Sequence, residues 1–125
     1  MRRITIGFLV LLALAGGPAR SQEPSEALKI QQLILSVERL EGAKFIRNGR
    51  EHDARAAADH LRLKLKRAGR AVKTADDFIR LCGTGSSMTG EAYRIRFADG
   101  TISTAEAFFR NQLRPSATSY PVRPE

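Results

Sequence analysis

Between Lys44 and Leu65 the chain reads "KFIRNGREHDARAAADHLRLKL", which places Arg47, Asn48, His52, His60 and Lys64 in one short span. Further on, "GTGSSMTG" sets Ser86, Ser87 and Thr89 among glycines. Three kinds of chemistry can be asked of these residues: metal ligation, acyl transfer through a serine, and binding of an anion. Metal ligation fits poorly. His52 and His60 on one continuous helix would stand about 12 Å apart along its axis, whereas two ligands of one zinc ion hold their nitrogens about 3–4 Å apart. His52 is expected in the turn before the helix, which does not close that gap. No CxxC, HExxH or His-x-His spacing occurs, so neither a metal nor a cofactor is expected.

Acyl transfer needs a nucleophile, a base beside it and a set of oxyanion donors. Ser87 with His60 could supply the first two. Asp59 cannot orient His60, because adjacent helical residues do not face each other. Nor do the residues around Ser86 and Ser87 form a G-x-S-x-G elbow. The sequence therefore assigns no catalytic residue, and a small hydrolase using Ser87 and His60 stands as an alternative.

Anion binding fits better. Consecutive amides in a Gly/Ser loop can form an anion-binding nest, and Arg47 and Lys64 would add fixed positive charge. The expected ligand site comprises Arg47, Asn48, His60, Lys64, Ser86, Ser87 and Thr89. It lacks the phosphate-loop spacing, so nucleotide is not implied. Each feature also has a plainer role. Serine and glycine are ordinary turn residues, and Arg47 at a strand end suits a clamp onto a carboxylate or onto helix carbonyls. A third reading is a structural interaction domain, docking through the second helix by the face that carries Ala56, His60, Leu63 and Arg67.

These side chains must be positioned by a small set of elements. "SEALKIQQLILSVERLEG" predicts a first helix capped by Ser25 and stopped by Gly42, with Ile30, Leu33, Ile34, Val37 and Leu40 as its apolar face. "AKFIRNG" predicts a strand entering an Asn48-Gly49 turn. A second helix starts at the N-cap Asp53 and runs to Gly69. Ala54, Ala57, Ala58, Leu61, Leu65 and Ala68 form its narrow inner stripe, while Leu63 points the other way. "TADDFIRLC" opens a third helix with Thr74 and Asp77 at capping-box spacing. "YRIRF" alternates Tyr93, Ile95 and Phe97 inward with Arg94 and Arg96 outward, as a half-buried strand does. Asp99-Gly100 then turns the chain, and Thr101 and Ile102 suit a short return strand. "STAEAFFRNQL" is a last helix, with Ser103 and Glu106 as its capping pair and Phe108, Phe109 and Leu113 for the core. The expected fold class is α+β: three or four helices packed on a small two- or three-stranded antiparallel sheet.

The ends of the chain read differently. Arg2-Arg3 precede the uncharged apolar run Ile4 to Gly17, which matches a secretory signal peptide and is shorter than the roughly 20 residues of a membrane span. Residues 1–21 are thus expected to be a signal peptide, 22–114 a single domain and 115–125 a disordered Pro/Ser/Thr-rich tail. Loss of Arg2, Arg3 and Arg20 would take the formal charge from +8 to +5. That correction matters, because much of the basicity that would suggest nucleic acid belongs to the leader. The remaining charge suits an anionic ligand or an envelope protein partner. Expected localisation is periplasmic or secreted, with no nucleic acid and no stable membrane anchor after cleavage. The single cysteine, Cys82, follows an apolar stretch and is expected to be buried and inert.

"FIRNGREHDARAAADHLRLKLKRAG", "TADDFIRLC" and "GSSMTGEAYRIR" in this order resemble a YfeK-like family of small exported bacterial proteins, a domain of unknown function. The resemblance runs from about Lys44 to Arg96. It implies a periplasmic protein and brings no activity with it.

Overall fold

The computed structural model describes residues 24–114. The expected leader and the expected tail lie outside the described residues. Helix α1 (Glu26–Glu38) starts at Ser25, whose hydroxyl accepts the Leu28 amide at 3.1 Å. The helix ends at Arg39, and Gly42 at φ +73° lies in the turn beyond it rather than at its C-cap. A Cβ on Gly42 would stand 2.9 Å from Cβ of Ala98, so both sterics and backbone reserve this position for glycine.

Strands β1 (Lys44–Arg47) and β2 (Arg50–His52) form a hairpin that pairs Phe45 with His52 and Arg47 with Arg50. Asn48 and Gly49 have φ of 52° and 77°, the doubly left-handed pair that a two-residue hairpin needs. Helix α2 (Ala54–Ala68) follows at once, with the Asp53 carboxylate accepting the Ala56 amide at 2.8 Å. Its inner stripe lies as the spacing predicts. Ala58 and Leu61 are buried, Ala54, Ala57, Leu65 and Ala68 pack against the core, and Leu63 is 42% exposed. Asp59 and Arg62 form the expected ion pair at 3.0 Å.

Helix α3 (Ala75–Phe78) has a full capping box between Thr74 and Asp77 and widens into a π-helical turn over Ile79–Gly83. The Thr84 hydroxyl donates to the Ile79 carbonyl at 2.6 Å, closing that wide turn. Phe78, Ile79 and Cys82 are buried there. Strand β3 (Arg94–Arg96) pairs with β1, and β4 (Ile102–Thr104) pairs with β3. Helix α4 (Ala105–Leu113) completes the chain. Its N-cap is Thr104, which accepts the Ala107 amide at 3.1 Å, whereas Ser103 lies within β4 and donates to the Thr104 carbonyl.

The fold is α+β, and its sheet has four antiparallel strands in the order β2-β1-β3-β4 where two or three were expected. The extra strand is β2. "REH" has no apolar alternation to announce it, and pairing with β1 makes it a strand. Helices cover one face of the sheet. Phe45 and Ile95 point into that core with Leu33, Ile34, Val37, Phe78 and Phe109, while Lys44, Arg94 and Ile102 are exposed. A side-chain period of two puts Arg47 and His52 on the covered side with Phe45. That parity builds the site.

Candidate ligand-binding site

Arg47 leaves the end of β1 toward α2, where His60 comes to meet it. Nη1 of Arg47 stands 2.6 Å from Nδ1 and 2.8 Å from Nε2 of His60. A single N–H cannot follow both lone-pair directions of one imidazole ring. Arginine only donates, so the uncharged ring is the receiving partner, met from a point nearly equidistant from its two nitrogens. His60 Nε2 also shares a hydrogen bond with the Tyr93 hydroxyl at 3.2 Å, its direction set by the ring tautomer. Tyr93 meets His60 edge-on, with ring centroids 6.0 Å apart.

Lys64, one helical turn beyond His60, donates to the Gly85 carbonyl at 2.9 Å and to the Tyr93 hydroxyl at 3.0 Å. The Tyr93 oxygen thus accepts from Lys64 and shares a second hydrogen bond with His60. Arg47 has five N–H groups and Lys64 three, more than these partners use. Among the described residues neither cation has a carboxylate within ion-pair distance. The clamp expected for Arg47 is therefore made to a histidine, not to an acid. The environment acts on His60 accordingly. Burial, then the charges of Arg47 and Lys64, then His52 and Arg67, lower its pKa from 6.5 to about 4. At neutral pH the ring is uncharged.

The Gly/Ser loop is built differently from a nest. Ser86 is buried, and its Oγ accepts from Asn48 Nδ2 at 3.2 Å and from the amides of Met88 and Thr89 at 3.2 and 3.4 Å. The Ser86 amide goes to the Glu91 carbonyl at 2.9 Å. Thr89 Oγ1 donates to Asn48 Oδ1 at 2.6 Å. Asn48, Ser86 and Thr89 therefore tie the loop to the tip of the hairpin, and the loop consumes these amides itself. Ser87 is exposed, while both His60 nitrogens face Arg47 and Tyr93. A base with so low a pKa, beside two cations, takes a serine proton poorly.

Of the expected site residues, Arg47, His60 and Lys64 converge directly, Asn48, Ser86 and Thr89 form the adjoining brace, and Ser87 faces solvent. Two residues were missed. Tyr93 reads as a core-facing strand residue, and only its hydroxyl, a polar end on an inward position, hints at more. His52 was expected in a pre-helix turn, yet it is the last residue of β2 and lines the same cavity as His60. That cavity measures about 70 Å³ and is walled by Val37, Phe45, Ala57, Leu61 and Phe109, with Arg47, His60 and Tyr93 at its polar side. His52 Nε2 is buried without a hydrogen-bond partner. Among the described residues, no three His, Cys, Asp or Glu side chains gather where they could hold a metal ion, and no helix is long and apolar enough to cross a membrane.

Fold and site together define a small α+β domain whose helix-covered sheet opens into an apolar cleft edged by hydrogen-bond donors. Residues 24–116 match the Family of unknown function (DUF5329), and the chain belongs to that family. It is 31% identical over 93 residues to the Uncharacterized protein YfeK of Salmonella typhimurium, a match covering 74% of this chain and 77% of that protein. No solved structure matches it. The resemblance drawn from "FIRNGREHDARAAADHLRLKLKRAG" and the segments after it thus holds.

Proposed function

We propose that this protein is an exported, non-catalytic binding module of the periplasm that receives an anionic group between Arg47, His60, Lys64 and Tyr93. The observation that carries this reading is the surplus of donors. Arg47 and Lys64 both have hydrogens left over, and no described carboxylate pairs with either cation. An anion is the partner that such a cluster lacks. The neutral state of His60 fits, since a third positive charge would repel the first two. The export part of the reading is supported by the apolar run behind Arg2-Arg3.

A thermal-shift series with phosphate, sulfate and small carboxylates tests the binding. At least one of these anions should raise the melting temperature of the wild type, and Arg47→Ala should remove the increase. If every anion leaves the melting temperature unchanged, the reading fails. In that event exposed Leu63 and Met88, 42% and 91% accessible, become the surface to examine for a protein partner from the envelope.

A further inference from the structure

The donor cluster accounts for the polar edge of the cavity and leaves its apolar interior without a role. We infer that the cavity takes a short-chain aliphatic monocarboxylate, its carboxylate at Arg47 in the mouth and its unsubstituted hydrocarbon tail against Leu61 and Phe109. This deepens the anion-binding reading and rests on it.

The residues that line the cavity fall into two sets. Val37, Leu61, Ala105 and Phe109 are apolar and buried, and they close its inner end. Arg47 and His60 are half-buried, and Ala56, one turn before His60 on α2, is exposed. The guanidinium therefore stands where the cavity meets solvent. A ligand with one charged end suits both sets: its anion stays beside Arg47 and in reach of water, and its tail displaces water from the inner walls. Each methylene buried there strengthens binding by roughly fourfold, a gain that an inorganic anion cannot make. His52 adds no further contact, because its unpartnered Nε2 is sealed from any ligand. Nothing in the interior then rewards a second polar group.

Charge sets the sign of the head group. Among the described residues no Asp or Glu lines the cavity. Arg94 does, but it is exposed between buried Tyr93 and Ile95, so its side chain leaves by the bare face of the sheet. Arg47 is then the cation that a ligand meets, with Lys64 behind the Tyr93 hydroxyl. An ammonium head is repelled there, and a second carboxylate on the tail would enter hydrocarbon uncompensated. One carboxylate matches one guanidinium edge. Size limits the tail. The cavity of about 70 Å³ is near half the ~150 Å³ that accommodates the six carbons of benzene. A tail of about three carbons, as in butyrate, fits that space, and a long acyl chain does not.

An NMR titration of the full chain with acetate, butyrate, octanoate, 1-butanol, butylammonium and sulfate tests this. Butyrate should bind on the order of tenfold more tightly than acetate, the worth of its two extra methylenes, and should shift the signals of Leu61 and Phe109. Octanoate, 1-butanol and butylammonium should each bind more weakly than butyrate. Ala57→Leu places a larger side chain in the cavity wall. It should erase the advantage of butyrate over acetate and spare sulfate binding, with amide dispersion confirming that the variant is folded. Equal affinity for acetate and butyrate, or octanoate or 1-butanol binding as tightly as butyrate, would overturn the inference. So would a folded Ala57→Leu that keeps the wild-type ranking. Sulfate binding in any of these cases keeps the anion reading, whereas failure of every anion to bind would remove both.

Discussion

Arg47 Nη1 lies 2.6 Å from His60 Nδ1, which joins the end of a strand to the middle of a helix through a cation and a neutral imidazole. A protonated ring there would be a partly buried third positive charge beside Arg47 and Lys64, so the pair has a pH below which it is driven apart. With a folded pKa of about 4 against an ordinary 6.5, the unfolded chain takes up this proton first as pH falls. His60 therefore contributes stability that is full above about pH 6.5 and lost on the way down to about 4. Urea denaturation should show a loss on the order of 1–2 kcal/mol across that window, less than the full shift implies because the ring is only partly shielded from solvent. His60→Gln should flatten the curve between those limits. The carboxylates held low by their hydrogen bonds, Glu26, Asp76, Asp77 and Asp99, lose their contribution only further down, so the two effects separate. An unchanged slope in the variant would show that another group carries the titration.

Ser86 should behave as an anchor and not as a nucleophile. Its Oγ holds Asn48 and two loop amides, and Ser86→Ala leaves three donors seeking water. Global stability should fall by about 1–2 kcal/mol, and amide exchange at Met88 and Thr89 should speed up most. Ser87→Ala, at an exposed position, should change neither. Equal effects from the two serines would contradict this division of labour.

Gly83 sits against the cavity wall. A Cβ there would stand 2.7 Å from Cε2 of Phe109, and that ring already has Phe78 and Phe108 edge-on within 5.9 Å between centroids. Gly83→Ala should destabilise the protein by about 1–3 kcal/mol through overpacking. The open side available to the displaced ring is the cavity that Phe109 lines, so the variant should also weaken binding of any ligand held there. Combining it with Phe109→Leu should recover part of the stability, which a denaturation series can measure.

Cys82 is 1% exposed, and burial raises its thiol pKa. Both effects oppose thiolate chemistry. Reaction with a thiol reagent at pH 8 should be slow in the native protein and fast in urea. Fast labelling of the folded state would mean that the π-helical turn over Ile79–Gly83 opens readily.

Much of this protein can be read along the chain. The caps at Ser25, Asp53 and Thr74, the inner stripe through Ala58 and Leu61, the Asn48-Gly49 hairpin turn and the burial of Cys82 are all local matters. Each depends on side chains within a few residues of one another, and there periodicity and capping chemistry speak directly. The last helix shows the margin of error: Thr104, not Ser103, is its cap, because β4 holds Ser103 in a strand to the end.

What only the tertiary structure decided is who meets whom. Polar "REH" becomes a strand because β1 offers it a partner, and this turns His52 from a turn residue into part of a cavity wall. Tyr93 gains its place at the site because β3 lies beside β1, which sets its hydroxyl between His60 and Lys64. These contacts join residues 29 to 33 positions apart. Spacing along the chain carries no trace of such pairings, since they are fixed by strand register and by the angle at which α2 crosses the sheet.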